Sequence, residues 1–454
     1  MTIPAMTETV PEAALGGPSE TTDPLDALDL FGTAFVANPY PTLDRLRTDA
    51  PVHHDPRTGL WLVSRHRDIR HVLLDPDAYR PDNAQLAVTP VPVAALRTLV
   101  RAGFSLPPAL ANNPTPSHTG LRRLVTRFFN AARVAAAVPV IERIATDLLD
   151  GVVGELAATG EADLVRHYAR PLPCRVLTHL LGIDGTTPEE LADWSDAALE
   201  LFWGRPTPER QHELADLAAD FHRWLDRTVR HARTTGAPPD SLIGALVRHR
   251  LPDGTPLDDA TAVAACYFVF IAGQSTTGQL LSTVLYRALT EPDRWPAAAA
   301  AAEDDVDTRD WVEEVLRREP PVATWRRITA RPVELAGTPL PEGAHLLLML
   351  LGSGSDPEVF DDPERLCPHR ANTRHHLAFG AGRHRCPGAA LARTEAAVAL
   401  RTAARRLPAI AVAEETAPPM LGLISFRAPL RLRVRPGGAD APEAPRPAVA
   451  GGPA

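Results

Sequence analysis

The stretch His376-Leu377-Ala378-Phe379-Gly380-Ala381-Gly382-Arg383-His384-Arg385-Cys386-Pro387-Gly388 decides how this chain is read. One cysteine closes a glycine-punctuated loop, and a run of helix formers from Ala389 to Arg406 follows at once. Glycine at 380 and 382 lets the backbone turn tightly and approach a flat ligand with no Cβ in the way. A helix starting just after Cys386 aims unpaired amides and its positive end at the sulfur, which favours thiolate. A thiolate on a tight loop, with Phe379 to cover it and peptide N–H groups to tune it, suits a metal-bound sulfur, and haem iron is one such metal. A cysteine beside glycines is more often a buried structural residue. Here the register of Phe, two Gly, His, Cys and Gly favours the ligand reading.

At 454 residues the chain exceeds the size at which one core usually stops growing, so length alone suggests about two or three domains. Hydrophobic and charged fractions of 44% and 23% are those of a soluble globular protein. A net charge of -9 argues against a general nucleic-acid binder. All 47 cationic side chains are Arg; with the load of Ala and Pro, this reads as codon bias of a GC-rich genome. Cys174, Cys266, Cys367 and Cys386 are scattered with no CxxC pair, which excludes a disulfide framework and a zinc ribbon and suits a reducing cytosol. The apolar runs at residues 266–272 and 346–351 fall short of the ~18 residues that span a bilayer. Residues 1–23 lack the layout of a signal peptide. The chain reads as soluble and cytoplasmic, with disordered tails at 1–25 and 437–454 around one domain at 26–436.

Along that domain, a helix opens at Asn38-Pro39-Tyr40-Pro41 and runs through Leu46, residues 59–63 alternate as a strand, and residues 68–74 read as a helix. Residues 84–117 have no clean period but are apolar (Leu86, Val88, Val91, Leu99, Phe104, Leu106), which favours a lid over a solvated linker. A helix after Pro116 puts His118 and Arg122 on one face, a pattern that an exposed basic face would also produce. Helical periodicity continues over 131–250, with breaks at 171–173, 182–187 and 236–240. Residues 260–289 read as one long helix, apolar all round near 266–271 and therefore central. Within it, Ala272-Gly273-Gln274-Ser275-Thr276-Thr277 carries Gly and hydroxyl residues that weaken a helix, consistent by itself with a plain kink. Glu314 and Arg317 share a helix face, as many solvated pairs do.

In this order, the helix with His118, the 272–277 segment, Glu314-x-x-Arg317 and the cysteine loop resemble the cytochrome P-450 family over about residues 27–435. The resemblance implies a mainly α fold with a smaller β-rich subdomain, haem b lying between two long helices, one carrying Thr276 and one following Cys386. It implies Cys386 as axial iron ligand, with Phe379 and Gly388 in the cofactor loop. His118, Arg122, Arg327 and His384 would hold the propionates, which need cationic donors. Gly273 would leave room for dioxygen, and the Thr276 hydroxyl would donate to it. Glu314 and Arg317 would be buried, joined by Arg370. Helices on either side of 204–206 would roof the pocket. Residues 323–325 would face substrate, and 421–424 would form a final hairpin tip reaching back to the pocket. Arg326 is expected to be exposed, the other reading being an anchor for an anionic substrate group.

The chain departs from the family pattern twice. Ser275 stands where an Asp or Glu commonly precedes the threonine and relays protons. Gly354-Ser355-Asp356-Pro357 replaces Asn-Arg-Asp-Pro, removing an arginine tether. The implied activity is that of a haem-thiolate monooxygenase, activating dioxygen to hydroxylate a largely hydrophobic small molecule such as a secondary-metabolite intermediate. Its partners would be a ferredoxin and a ferredoxin reductase, docking on Arg122, Arg123, Arg127, Arg383 and Arg385. Neither nucleic acid nor membrane is expected as a partner, and a monomer is. Two other readings stay open: a variant enzyme performing oxidative coupling, cyclisation or peroxide-driven oxidation, which Ser275 supports, and a haem protein without catalysis. A zinc or iron–sulfur protein is poorly supported, since one loop cysteine cannot supply four ligands.

Overall fold

In the computed structural model, which describes residues 25, 27–183, 185–238, 240–302 and 306–437, helices alternate with short strands near both ends of the chain. Helices α1 (Thr33–Ala37) and α2 (Tyr40–Asp49) lead into strands β1 (Val52–Asp55) and β2 (Leu60–Val63), then α3 (His66–Leu74), β3 (Tyr79–Arg80), α4 (Val93–Arg101) and α5 (Ser117–Thr126). The helical body follows as α6 (Ala131–Thr159), the short strand β4 (Ala162–Asp163), α7 (Pro171–Leu181), α8 (Pro188–Trp203), α9 (Pro208–Thr235), α10 (Leu242–Val247), α11 (Asp259–Thr290), α12 (Arg294–Ala300) and α13 (Val306–Arg318). Then come β5 (Trp325–Thr329), β6 (Val333–Leu335), β7 (Thr338–Leu340), β8 (His345–Leu348), α14 (Leu350–Ser353), α15 (Ala389–Arg406), β9 (Ile410–Val412) and β10 (Arg433–Pro436).

The larger sheet has the order β1-β2-β8-β5-β3, with β2 and β8 parallel and the other neighbours antiparallel. A second sheet, β4-β10-β9, ties Ala162 to Val434, and β6 and β7 form a hairpin. This is the mainly α fold with a small β part that the sequence implied. The expected tails lie outside the described residues except for Leu25 and Gly437. Leu25 is buried, and Gly437 N donates to Ala409 O at 2.9 Å.

Side-chain caps start the long helices. Asn130, Thr187, Thr207 and Asp258 each accept a first-turn amide, and Thr187 with Glu190 completes a capping box. Glycines at 160 and 182, both left-handed, end α6 and α7. The break expected at 171–173 is instead the start of α7. Pro171 sits at the first position, where its missing N–H costs nothing.

Helix α11 is the central element, its apolar residues buried on every side and packed against α7, α8, α9 and α15. It reaches the length and mean hydropathy of a membrane span, contrary to the reading of short apolar runs, because Gln274 to Thr277 interrupt the run without lowering its average enough. Its most apolar window is 67% buried by the rest of the protein, as a core helix would be. The segment 84–117 is not a structureless lid either: it folds α4, whose Ala95 and Leu99 pack on Leu201 of α8 and Leu214 and Ala218 of α9. Residues 421–424 lie in the tip of a short antiparallel pair, as implied: Met420 bridges Pro429, Leu421 N donates to Ala428 O at 2.8 Å and Leu430 N to Pro419 O at 2.9 Å, although it is Phe426 of this tip that reaches the cavity.

Candidate active site

The cysteine loop is built on α13. Glu314 Oε1 and Oε2 take Arg317 Nη2 at 2.7 Å and Nε at 2.9 Å. Arg370 Nε at 3.1 Å and the Cys367 amide at 2.9 Å close on Glu314 Oε1, as the sequence implied for this pair. Arg317 also donates to the carbonyls of Gly354, Pro363 and Arg365. A Cβ at 354 would lie 1.8 Å from Arg317 O, so only glycine fits there. In place of the missing tether, Arg318 donates to Ser355 Oγ, and Asp356 Oδ2 accepts His66 N at 2.9 Å.

A second buttress escaped the sequence reading. Glu313 accepts Arg393 at 2.5 and 2.6 Å and pairs with His376 Nε2 at 3.0 Å. Burial works against its charge, but Arg393 and His376 prevail and hold its carboxyl at about 2. The Arg393 guanidinium then lies 4.4 Å over the Phe379 ring, fixing the residue that covers the loop. Nothing local marks this trio, since its members lie on three separate segments. Within the loop, Cys386 N donates to Phe379 O at 2.9 Å, and Gly382 turns at φ +66° where a Cβ would meet Leu73 O at 2.7 Å.

One cavity of about 210 Å³ gathers His118, Arg122, Gly273, Thr276, Arg327, Phe379, His384, Cys386 and Gly388. These come from α5, α11, β5 and the loop, and Ser275 alone of the singled-out residues does not line it. Thr276 Oγ1 donates back to Ala272 O at 2.5 Å, so the expected helix weakening is a back-bonded hydroxyl facing the cavity. Apolar side chains make most of the remaining wall, including Leu199 and Trp203 of α8, Leu177 of α7, Trp325 and Phe426.

Among the described residues, neither arginine in this wall, Arg122 or Arg327, has a carboxylate partner. Arg327 is buried and donates only to Arg326 O at 2.8 Å, and burial brings its pKa down to about 10. Neither ring nitrogen of His384 has a hydrogen-bond partner, and its ring lies 4.4 Å from that of His118. Burial first, then the neighbouring cations, push His384 down to about 3 and His118 to about 4. Two arginines without carboxylate partners and the unpartnered His384 imidazole, beside a thiol, fit a flat, carboxylate-bearing metallocofactor, and so fit haem.

The thiol itself departs from expectation. Burial raises the Cys386 pKa, outweighing the Gly388 amide and the charges of Arg122, Arg385 and Arg393. The helix start therefore does not by itself produce thiolate; a coordinated cation would. Cys174 and Cys266, pushed up to about 12 by burial, lie elsewhere.

Three other expectations are corrected. Arg326 is buried, not exposed, and it does not line the cavity: its Nη2 donates to Ala84 O at 3.2 Å and Leu86 O at 2.6 Å. It ties β5 to the start of the 84–117 segment. Of residues 323–325, only Trp325 reaches the cavity, stacked 6.3 Å from Trp203. From 84–117 only Leu110 and Ala111 line it, because the more apolar residues pack outward onto α8 and α9 or, like Leu86, stay exposed.

A thiol in a cavity lined by two arginines without carboxylate partners and by two imidazoles, inside a helical body, fits a haem-thiolate protein. A sequence profile described as "Cytochrome P450" matches residues 308–422. The chain is 34% identical over 396 residues to "Cytochrome P450 monooxygenase PikC" of Streptomyces venezuelae, covering 86% of this chain and 88% of that one. It is 32% identical to "6-deoxyerythronolide B hydroxylase" of Saccharopolyspora erythraea, over 85% and 92%. Among solved structures, "cytochrome P450 CREJ in complex with (4-ethylphenyl) dihydrogen phosphate" superposes with a TM-score of 0.83 at 28% identity, over 88% of this chain and 98% of that one. The chain belongs to the cytochrome P450 family. It is a monooxygenase whose cofactor is haem, held in this family through a cysteine thiolate.

Proposed function

We propose that the enzyme hydroxylates a largely hydrophobic secondary-metabolite intermediate in the cavity between Cys386 and the Ala272–Thr277 segment. The single observation that carries this is the wall of that cavity. Apart from the cation cluster and Cys386, its polar side chains are the hydroxyls of Thr276 and Thr277. A substrate there meets Leu177, Leu199, Trp203, Trp325 and Phe426, and each well-buried apolar group contributes roughly 1.5–3 kcal/mol of binding. A relative named as a hydroxylase supports insertion of one oxygen over oxidative coupling.

Bound haem supplies dioxygen activation, strengthened by electron donation from thiolate. Cys386 would be its iron ligand, Arg327, Arg122, His118 and His384 its propionate donors, and Phe379 and Gly388 the faces of its loop. Gly273 lets α11 approach Leu177 of α7, whose side-chain carbons would lie 3.0 and 3.2 Å from a Cβ there, and Thr276 could release its bond to Ala272 O to donate toward an oxygen in the cavity. Apolar neighbours exclude water from the same space. We assign residues 26–436 to this one haem domain and take it to be monomeric and cytoplasmic.

Electrons would come from a ferredoxin and its reductase. The exposed Arg123, Arg127 and Arg385 support a basic docking face. Arg122 and Arg383 are turned inward, to Arg385 O and to Thr115 O and His118 Nδ1, and contribute less. Screening apolar candidates for the low-to-high-spin shift, then following label from 18O2 into product, tests the reading. A product without label, or a dimerised one, would favour coupling.

A further inference from the structure

The roof of the cavity ends in a sharp corner. Leu199 and Trp203 of α8 line the cavity, and α8 stops at Gly204, where a Cβ would lie 2.5 Å from Glu200 O. Residues 204–207 turn the chain into α9, whose first turn is capped by Thr207 accepting Arg210 N. Arg210 reaches back to Glu200 with Nε at 3.1 Å and Nη2 at 2.8 Å, so the end of α8 and the start of α9 are joined to each other. The 84–117 segment is fastened to the same pair. Val88 N donates to Phe202 O at 3.1 Å, Thr89 Oγ1 to Gly204 O at 3.3 Å and Gln211 Nε2 to Pro90 O at 3.0 Å. With α4 packed on Leu201 of α8 and Leu214 of α9, these elements make one roof.

Among the described residues, hydrogen bonds and ion pairs tie the corner at 203–207 to the body of the protein at two places. One is a backbone bond, Ile424 N to Trp203 O at 2.9 Å. The other is Arg205, whose Nη1 and Nη2 donate to Asp29 Oδ1 at 3.0 Å and Oδ2 at 3.2 Å while its guanidinium lies 5.0 Å over the ring of Phe31. Asp29 belongs to a strap, residues 27–31, that is seated independently of the corner. Leu28 and Leu30, on either side of Asp29, are buried in the main core. Asp29 Oδ1 also accepts Phe31 N at 3.0 Å, and Arg57, on the turn between β1 and β2, approaches Oδ2 at 3.5 Å. The carboxylate is therefore held in position before Arg205 reaches it, and little freedom is lost when the two meet. Arg205 keeps 49% and Asp29 27% of its side-chain surface open, so water and salt reach the pair.

We propose that the 27–31 strap is a latch on the cavity roof: Asp29 and Phe31 hold the α8–α9 corner down through Arg205, and ligands enter and leave when that contact breaks. The strap stays in place as the corner lifts, because Leu28 and Leu30 are anchored in the core and not in the roof. The corner's other tie joins two buried residues, Trp203 and Ile424, and is closed to ions. Arg205 is therefore the point at which ionic strength acts on the roof. An uncharged ligand has no long-range attraction to the protein, so salt would ordinarily leave its rate of association unchanged. Here salt screens the attraction of Asp29 for Arg205, favours the lifted corner and speeds both entry and exit. Affinity changes little, since both rates move together. The proposal rests on the cavity of the proposed function being the ligand site, and not on the reaction run there.

The test uses haem-loaded wild type, Asp29→Asn, Arg205→Ala and Arg205→Lys, mixed with 4-phenylimidazole in a stopped-flow instrument. At about pH 8 this probe is uncharged, and its ring nitrogen shifts the Soret band on reaching the iron, so entry is read without turnover. In wild type the association rate should rise roughly threefold between about 0.01 and 0.5 M sodium chloride. At low salt, Asp29→Asn and Arg205→Ala should each bind and release the probe about three- to tenfold faster than wild type, with the salt dependence lost. Arg205→Lys keeps the charge but not the paired bonds or the stacking, and should fall between. The reduced carbonyl spectrum should be the same in all four, which separates the effect from damage to the haem site. Association rates of Asp29→Asn and Arg205→Ala within about twofold of wild type overturn the proposal. So does an equal salt dependence in wild type and both variants. A wild type whose Soret band the probe does not shift overturns the latch together with the cavity as ligand site. Salt-dependent entry of the probe, with no 18O-labelled product from any apolar candidate, overturns the hydroxylase reading alone and supports the latch.

Discussion

Glu314 and Arg317, one turn apart on α13, hold each other through bonds of 2.7 and 2.9 Å while neither side chain exposes any surface. Charges so far from water persist because every donor is used: Arg317 reaches three further carbonyls, and Glu314 also holds Arg370 and the Cys367 amide. The pair therefore fixes the segment that precedes the cysteine loop. Removing one partner leaves the other charged, buried and unpaired. Glu314→Ala should cost roughly 3–5 kcal/mol, read as a fall in the urea midpoint of the haem-loaded protein. A midpoint within error of wild type would mean that the pair is not shielded as described.

Cys386 lines the cavity while the other three cysteines do not. In Cys386→Ala the reduced, carbonyl-bound protein should lose the red-shifted Soret band of thiolate ligation. Cys174→Ala, Cys266→Ala and Cys367→Ala should each keep it. A normal band in Cys386→Ala would move the ligand elsewhere.

Arg327 is buried with a single backbone acceptor, and Arg122 donates to Arg385 O. Charge-assisted bonds to propionate are worth roughly 1.5–3 kcal/mol each, so Arg327→Ala should weaken haem retention about ten- to a hundredfold. Arg122→Ala should show a smaller loss, its side chain being less enclosed. Transfer of haem to apomyoglobin measures both, and unchanged transfer rates in the pair would show that the cation cluster serves something else.

The haem-free protein should be sensitive to acid in a defined direction. His118 and His384 are held at about 4 and about 3, below the ordinary 6.5, because burial and neighbouring arginines resist their protonation. The unfolded chain takes up protons that these two sites refuse, so their contribution is complete above about pH 6.5 and declines from there toward about pH 4. Glu313, at about 2, loses its contribution only below the ordinary 4.5 and falls outside most of that window. Urea midpoints of the apoprotein across this range should fall with pH, and more shallowly in His118→Gln/His384→Gln. Haem should reduce the fall in wild type, since its carboxylates favour the charged imidazoles. Identical slopes in the double variant and wild type would remove these two residues from the account.

Much of the site was readable along the chain because its constraints are local. A loop that must turn left-handed at 382 requires glycine, a ligating sulfur requires one cysteine, and a helix must start directly after it; all three lie within the stretch from His376 to Ala389. His118 with Arg122, and Glu314 with Arg317, were legible for the same reason, each pair one helical turn apart. Their shared order along the chain then implied the fold. Other features had no local mark. The sequence could not show that Arg326 turns inward to two carbonyls while Arg327 enters the cavity, since alternate residues of a strand face opposite ways and the sheet's neighbours choose which is which. Nor could it show that Cys386 is desolvated more than its helix start favours thiolate, because burial sums over segments distant in sequence. Ser275 is the plainest case, since only the packing of α8 across α11 turns its hydroxyl away from the cavity and to Asp196 Oδ1 at 3.0 Å. Sequence fixes which groups exist and how neighbours along a helix or loop can be arranged; burial and the meeting of distant side chains are properties of the packed molecule, and only the tertiary structure decides them.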